Sequence, residues 1–275
     1  MLAGASAICF GTALVSAKFG LRGLDARSGA AISIPTATGL LILAAPFALD
    51  LTGFALAGAL IFAAVGIFFP AVVTLLTFAA NERLGPSVTG TVSSTAPLFA
   101  LLAALLLLGE PIPARALVAT AGVVAGVALL SWRGGSLMRR ALWLPLAGAA
   151  LRGLVQVAAK AGLALWPNPF AASLIGYGVS SVTVTLAARG RQRRREPSAV
   201  LWFMATGLLN GLAVLLMYAA LAAAPVALVA PLVAGYPLVT VLLGAVVLRD
   251  EALRLRALAG ALLVVAGIAY LVAGA

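Results

Sequence analysis

Long apolar stretches alternate with short polar segments along almost the whole chain. Each stretch has about 20 residues, the length that an α-helix needs to cross a hydrocarbon layer about 30 Å thick. The pattern therefore predicts an all-α integral membrane protein with ten transmembrane helices. Their approximate ranges are 2–21, 30–49, 55–80, 86–108, 114–132, 141–164, 169–188, 199–222, 225–248 and 254–273. The first lacks a basic leading region, so we expect a retained helix and not a signal peptide.

Composition supports a membrane protein and excludes several kinds of chemistry. Hydrophobic residues make up 64% of the 275 residues and charged residues 9%, too few to cover a soluble core of this size. The chain has no His, a single Cys (Cys9) and no phosphate-loop motif. An internal disulfide, a His- or Cys-based metal site and a Ser-His-Asp device are excluded. We expect no catalytic residues, no bound metal and no cofactor.

The second half of the chain repeats the first. Pro97-Leu98 recurs as Pro237-Leu238, and Lys18 recurs as Lys160, with an offset of 139 to 142 residues for all matched segments. We therefore expect one five-helix repeat over 1–132, a linker over 133–140 and a second repeat over 141–275. Because five is odd, the two repeats have opposite orientations in the membrane, which is a recurring design of secondary transporters.

Basic residues are distributed unequally between the two sets of loops. The loops after the odd-numbered helices hold 14 of the 18 Lys and Arg residues, whereas the opposite loops hold only Arg115. The positive-inside rule then places the Arg-rich loops in the cytoplasm and both termini outside it. The same distribution explains the net charge of +11 without nucleic-acid binding.

Several short motifs follow one another in a fixed order along the chain. They are Lys18-Phe19-Gly20-Leu21, Glu82-Arg83-Leu84-Gly85-Pro86-Ser87, Ala96-Pro97-Leu98-Phe99, Leu108-Gly109-Glu110, Gly122 with Gly126, Pro225, Tyr236-Pro237-Leu238, Asp250-Glu251, Gly260 and Gly267. In this order the chain resembles the EamA-type transporters of the drug/metabolite transporter superfamily over its whole length. The resemblance implies a central cavity, a plasma-membrane location and transport, usually export, of small organic metabolites. The family's usual cytoplasmic termini conflict with the loop charges, because the link over 48–53 lacks the usual basic residues.

The most distinctive polar residues lie on the sixth predicted helix. Arg152, Gln156 and Lys160 are spaced by four residues, which places them on one face. A cation near the middle of a span costs about 2.5–3.5 kcal/mol, so this face is expected to meet a wet cavity or a partner. We predict that the three residues bind substrate, because Arg binds carboxylates in bidentate fashion. The alternative is a buried bridge to backbone carbonyls or to the other repeat.

Lys18 and Lys160 lie three to four residues before the ends of their helices. We hypothesise that they flank opposite mouths of the solute pathway. In the alternative, they snorkel to the interface and complement the helix dipole.

Further polar residues within spans are candidates for lining a substrate site. Asn210 lies in the middle of the eighth span between glycines, and a central amide needs either a solute or an interhelical hydrogen bond. Tyr177, Tyr218 and Tyr236 also lie in apolar stretches, where a hydroxyl group needs a partner.

Pro97 and Pro237 interrupt the fourth and ninth spans at matching positions. Matching breaks in two repeats point toward the binding region of a transporter, so we predict hinge or gating roles. Fixed curvature for packing is the alternative.

All seven acidic residues lie at helix ends or in loops. They are Asp25, Asp50, Glu82, Glu110, Glu196, Asp250 and Glu251. The absence of a carboxylate at the midplane favours an anionic, zwitterionic or neutral solute over a hydrophobic cation. We therefore expect a secondary transporter of small organic metabolites, such as amino acids or related carboxylates, that works by alternating access in contact with membrane lipids as a monomer or weak dimer. A nucleotide-sugar or lipid-linked substrate, or a membrane assembly protein, is the alternative.

Overall fold

The computed structural model describes residues 1–131, 141–188, 196–244, 246 and 255–273. The predicted linker, the Arg-rich loop at 189–195 and the pair Asp250-Glu251 lie outside these residues. The described elements are α-helices with short π-helical stretches at Ile67–Val72 and Ala104–Leu108. The helices are α1 (Leu2–Gly20), α2 (Ala26–Ala48), α3 (Leu56–Gly66), α4 (Val73–Ser93), α5 (Ala96–Ala103), α6 (Ala114–Ser131), α7 (Trp143–Leu165), α8 (Pro169–Ala188), α9 (Pro197–Ala223), α10 (Val226–Val233), α11 (Tyr236–Leu243) and α12 (Leu255–Ala273).

Length and hydropathy identify six helical segments, within the described residues, that suffice to cross a membrane. They are Leu2–Gly20, Ala26–Ala48, Leu56–Pro86, Pro169–Ala187, Pro197–Ala223 and Val226–Leu243. Ala96–Leu108, Ala114–Leu129 and Leu262–Leu271 are apolar but shorter. The helix α7 has 23 residues and carries Arg152 and Lys160 within its length. The multi-pass, all-helical prediction is confirmed, whereas the number ten stays a prediction.

The helical backbone breaks at four places, each close to a glycine or a proline. The backbone leaves helical geometry at Phe69, just before Pro70. Gly85 has a φ of 79°, a left-handed value that suits glycine, and it ends the first part of α4 before Pro86 starts the second. Turns at 94–95 and 234–235 separate α4 from α5 and α10 from α11. The three breaks other than the one at Gly85 place irregular backbone inside the bundle and not at its lipid-facing surface, because Phe69, Ser94 and Ala234 are all buried.

The helices pack in pairs that are related by exchange of the two halves of the chain. Helix α1 packs on α9, and its counterpart α7 packs on α3 and α4. Likewise α2 packs on α9 as α8 packs on α3, and α1 packs on α11 as α7 packs on α5. The pairs α2–α8 and α6–α12 map onto themselves. The repeat seen in the sequence is thus also a repeat of helix packing.

Short loops join the helices, and hydrogen bonds fix their ends. Asp25 begins α2 by accepting a hydrogen bond from the Ser28 amide (2.9 Å). After α2, the Thr52 hydroxyl and amide donate to the Asp50 carboxylate (2.7 and 2.8 Å), and these bonds hold the pKa of Asp50 below its ordinary value. The loop is joined to the start of α8 because the Asn168 side-chain amide donates to the Asp50 carbonyl. These contacts set the spacing of the helix ends at this side of the bundle.

Candidate functional site

Arg152 lies deep in the bundle. It follows the first residue of α7 by nine positions and precedes the last by thirteen, which places it about 13 Å from one end and about 20 Å from the other. Its side chain is 9% exposed. Gly153 lets α7 approach α5 closely, since a Cβ there would lie 2.7 Å from the Ala100 nitrogen. The close approach to the α4–α5 break holds the arginine beside the interrupted backbone.

Three aromatic rings surround the guanidinium group. Its central carbon lies 4.9 Å from the ring centroid of Phe10, 5.7 Å from that of Tyr236 and 5.8 Å from that of Phe69. Cation–π contacts of this kind contribute about 0.5–2 kcal/mol each, so they offset much of the cost of a cation at this depth. Rings stabilise the faces of the guanidinium and leave the N–H groups in its plane able to donate.

The guanidinium borders a small central cavity of about 30 Å³, which has room for one or two water molecules. Arg152, Tyr177, Asn210 and Tyr236 supply polar atoms to it, together with Thr74 and Thr77. The rest of the described lining is Phe10, Ala13, Leu14, Phe69, Pro70, Phe78 and Val214. None of these residues is acidic. The site therefore carries a positive charge with hydroxyl and amide groups around it.

Comparison with known proteins agrees with this architecture. A model of the EamA-like transporter family matches the chain twice, over residues 1–132 and 139–273. The chain belongs to the EamA-like transporter family. Members of this family are membrane transporters of the drug/metabolite type and not enzymes, as the sequence predicts.

A solved structure described only as the crystal structure of a protein has the same fold. It superposes with a TM-score of 0.78 at 18% identity, and the alignment covers 98% of this chain and 94% of that one. No curated protein matches the chain.

Four of the predicted site residues meet at the central cavity of the transporter: Arg152, Tyr177, Asn210 and Tyr236. The Tyr236 hydroxyl lies beside the Ser93 side chain, just before the break between α4 and α5. The Tyr177 hydroxyl is fully buried and has no hydrogen-bond partner among the described residues. A buried hydroxyl beside a polar cavity is satisfied by water or by a ligand group.

Other predicted residues lie outside the described lining of this cavity. Gln156 is one turn along α7 and 2% exposed, and its Oε1 atom has no hydrogen-bond partner in the part of the chain that the structure describes. Lys160 donates to the carbonyl oxygens of Leu221 (2.7 Å) and Ala224 (3.0 Å) at the carboxyl end of α9. Tyr218 is buried in α9, and Lys18 is partly exposed in the last turn of α1. Binding roles for these four residues stay predictions.

The two prolines have equivalent positions. Pro97 is the second residue of α5 and Pro237 the second residue of α11, each directly after a turn. Proline suits a first helical turn because its missing N–H group would have no helical partner there. The broken segments meet, since a Cβ on Gly90 of α4 would lie 3.2 Å from Cβ of Pro237. Their hinge or gating role stays a prediction.

The sequence did not identify the aromatic rings or two further polar contacts. Phe10 and Phe69 lie in apolar stretches where nothing distinguishes a cavity-lining ring from a packing one. Asn81 is fully buried and donates to the Leu14 carbonyl (3.1 Å). The Glu110 carboxylate accepts from the Val226 amide (3.0 Å), capping α10 across a distance of 116 residues. The polar residues were visible in the sequence, but their partners depend on tertiary packing.

Proposed function

We propose that this chain is a ten-span secondary transporter that binds a small organic carboxylate, such as an amino acid, at Arg152. The single observation that carries the proposal is the buried guanidinium with rings on its faces and no acidic residue in the described lining of its cavity. A cation that is left without a counter-charge at this depth suits a ligand that supplies one. The family resemblance favours a location in the plasma membrane and export as the direction of transport.

The chemistry of the other lining groups suits the same ligand class. A carboxylate accepts two parallel N–H bonds from the edge of a guanidinium. The unpartnered Tyr177 hydroxyl and the Asn210 amide supply further hydrogen bonds to the carboxylate or to a polar group beside it. The described acidic residues lie at helix ends or in loops, Glu82 being exposed next to the Gly85 break. A cationic solute would thus meet like charge and no carboxylate near Arg152.

Alternating access accounts for the size of the cavity. A volume of about 30 Å³ is smaller than a carboxylate-bearing metabolite, so a solute binds only after the helices separate. The exchange-related packing pairs and the odd number of spans per repeat support two inverted repeats of five helices. Such symmetry supplies two equivalent conformations, each open to one side.

Binding measurements on purified protein test the proposal. Carboxylates such as leucine and 4-methylpentanoate should raise the midpoint of thermal unfolding, whereas uncharged 4-methylpentanamide should not. Arg152→Gln should weaken carboxylate binding by about 10- to 100-fold, since a charge-assisted hydrogen-bonded pair contributes about 1.5–3 kcal/mol. The same substitution should lower the flux of a radiolabelled carboxylate in vesicles.

The matched control is Arg83→Gln, which removes an exposed cation of α4 two residues before the Gly85 break and should leave binding unchanged. Stabilisation by cationic dyes alone, or equal carboxylate binding in Arg152→Gln, contradicts the proposal.

A further inference from the structure

A second and much larger cavity lies at the carboxyl end of α7. Its volume is about 660 Å³, within the range of about 300–1,000 Å³ typical of small-molecule sites. Its described walls are the segment from Glu110 to Ala116, the corner between α9 and α10, Lys160 of α7 and Leu271 of α12. We call this cavity the vestibule. The loops that form it belong to the Arg-poor side of the bundle, so it opens on the face opposite to the Arg-rich loops.

Two cations and one acid line the vestibule among its described residues: Arg115, Lys160 and Glu110. The Glu110 carboxylate is engaged by the Val226 amide. Lys160 uses two of its three N–H donors on the carbonyls of Leu221 and Ala224, so one donor is left. Arg115 is exposed in the first turn of α6. The charged groups therefore favour an anion.

Apolar side chains cover the rest of the vestibule. Ile112, Ala227, Leu228 and Leu271 line it beside the charged groups. A ligand with an anionic head and a small apolar body fits this lining better than a wholly polar ion, because apolar walls gain from burying apolar surface. A branched-chain carboxylate is the simplest member of that class.

One face of α7 connects the vestibule with the central cavity. Lys160 and Arg152 are eight residues apart, which corresponds to about 12 Å along the helix. Gln156 lies midway between them on the same face, and its buried Oε1 atom accepts no hydrogen bond from the described residues. A solute that leaves the vestibule along this face therefore meets one polar side chain about every helical turn. The face is closed at Gln156 in this conformation.

We propose that the vestibule is a second solute-binding site, in which the carboxylate lies between Arg115 and Lys160 before or after its transfer to Arg152. This inference rests on the function proposed above and adds a site on the pathway. It also gives Lys160 a place at one mouth of the pathway, in addition to its contacts with the end of α9.

Charged thiol reagents test the electrostatics of the vestibule. In a Cys9→Ala background, which removes the one native cysteine, Ala222→Cys places a reactive group on an exposed vestibule wall. The quantity measured is the ratio of two reaction rates, that of the anionic 2-sulfonatoethyl methanethiosulfonate over that of its cationic trimethylammonium counterpart. This ratio should be higher at Ala222→Cys than at an exposed cysteine elsewhere on the protein. Arg115→Ala should lower this rate ratio by about 3- to 10-fold at low salt. The control Arg83→Ala should leave the ratio unchanged. An unchanged ratio in Arg115→Ala overturns the proposal.

Ligand protection tests binding itself. In nanodiscs of zwitterionic lipid, 4-methylpentanoate should slow labelling of Ala222→Cys, and 4-methylpentanamide should not. Arg115→Ala should raise the half-protecting concentration by about 10-fold. Arg152→Gln should keep this protection although it loses binding at the central cavity.

The outcomes separate the two proposals. Wild-type thermal stabilisation that depends on Arg152, without protection of Ala222→Cys, overturns the vestibule site alone. Equal protection by acid and amide also overturns it. Protection by phosphatidylglycerol in place of the carboxylate would assign the vestibule to a lipid headgroup and would overturn it as a solute site. Loss of thermal stabilisation by every carboxylate overturns the proposed function instead.

Discussion

Single residues control how closely the helices approach one another in this bundle. A Cβ on Gly207 of α9 would overlap the Ser33 carbonyl of α2, and one on Gly211 would lie 3.0 Å from the Cβ of Ala37. These glycines flank Asn210 and allow α2 and α9 to approach closely beside this amide. Small residues of this kind allow membrane helices to pack backbone to backbone.

Substitution of Gly207 by Ala should therefore destabilise the transporter. Overpacking of a tight contact costs about 1–3 kcal/mol, and the overlap here is with backbone, which moves less easily than a side chain. We expect the midpoint of thermal unfolding in detergent to fall by several degrees. The control Gly39→Ala adds a methyl group where nothing lies within 4 Å, and it should be neutral or slightly stabilising. Equal midpoints for the two variants would show that α2 and α9 adjust to the added group.

The polar residues of α7 show that one sequence pattern can serve three environments. Arg152 is surrounded by rings, Gln156 is buried with an unpartnered oxygen, and Lys160 donates to the end of α9. Their shared face follows from the spacing of four residues. Their separate surroundings follow from the helices that pack against that face.

At the scale of elements, the broken helices are held by specific side chains. The Ser180 hydroxyl of α8 donates to the Gly66 carbonyl and accepts from the Ala71 amide (3.2 Å), which are backbone groups on either side of the irregular residue Phe69. At the break between α4 and α5, the Thr95 hydroxyl donates to the Val92 carbonyl (2.7 Å). Backbone groups released by a break inside a membrane need such partners, since no bulk water reaches them.

Loss of the Ser180 hydroxyl should destabilise the irregular backbone at Phe69, between α3 and α4. Ser180→Ala leaves a buried carbonyl and amide without this partner, which costs about 1–3 kcal/mol per unsatisfied group. Ser173→Ala is the matched control on the same helix, because the Ser173 hydroxyl is also buried but donates only within α8, to the Pro169 carbonyl (2.9 Å). We expect a lower unfolding midpoint for Ser180→Ala than for Ser173→Ala. The reverse order would mean that other groups satisfy the break.

The whole molecule is organised by the exchange of its two halves. The main helix contacts between the halves have counterparts in which the equivalent helices have changed places, and α6 packs against its own equivalent α12. The large central interface is therefore built from both repeats. Arg152, which has no basic equivalent in the first half, makes the site itself asymmetric, because Arg152 corresponds to Phe10 at the offset of 142 residues.

The membrane orientation of this assembly is the prediction that belongs to the largest scale. An even number of spans places both ends on one side, and the loop charges place that side outside the cytoplasm. In a Cys9→Ala background, single cysteine tags added to either end should react with an impermeant maleimide in intact cells. Labelling of both tags only after lysis would reverse the orientation. Labelling of one tag but not the other would refute the inverted repeat.

A large part of this architecture follows from the amino-acid sequence alone. Apolar length predicts membrane helices, the offset of about 140 residues predicts paired packing, and the spacing of Arg152, Gln156 and Lys160 predicts a shared face. These are local or periodic properties of the sequence. The bilayer favours helices because a helix pairs its own backbone N–H and C=O groups where no water is available. The turns before Pro97 and Pro237 likewise lie close to where those prolines indicate.

Tertiary structure alone decided which groups meet. Phe10, Phe69 and Tyr236 come from three different segments to surround one guanidinium, and Glu110 finds the Val226 amide far along the chain. Hydrophobic patterning predicts that an aromatic ring is buried but does not predict its neighbours, because any apolar neighbour would bury the ring equally well. The aromatic surroundings of Arg152, the break at Phe69 and the vestibule beside Lys160 therefore depend on how the helices pack, which periodicity does not encode.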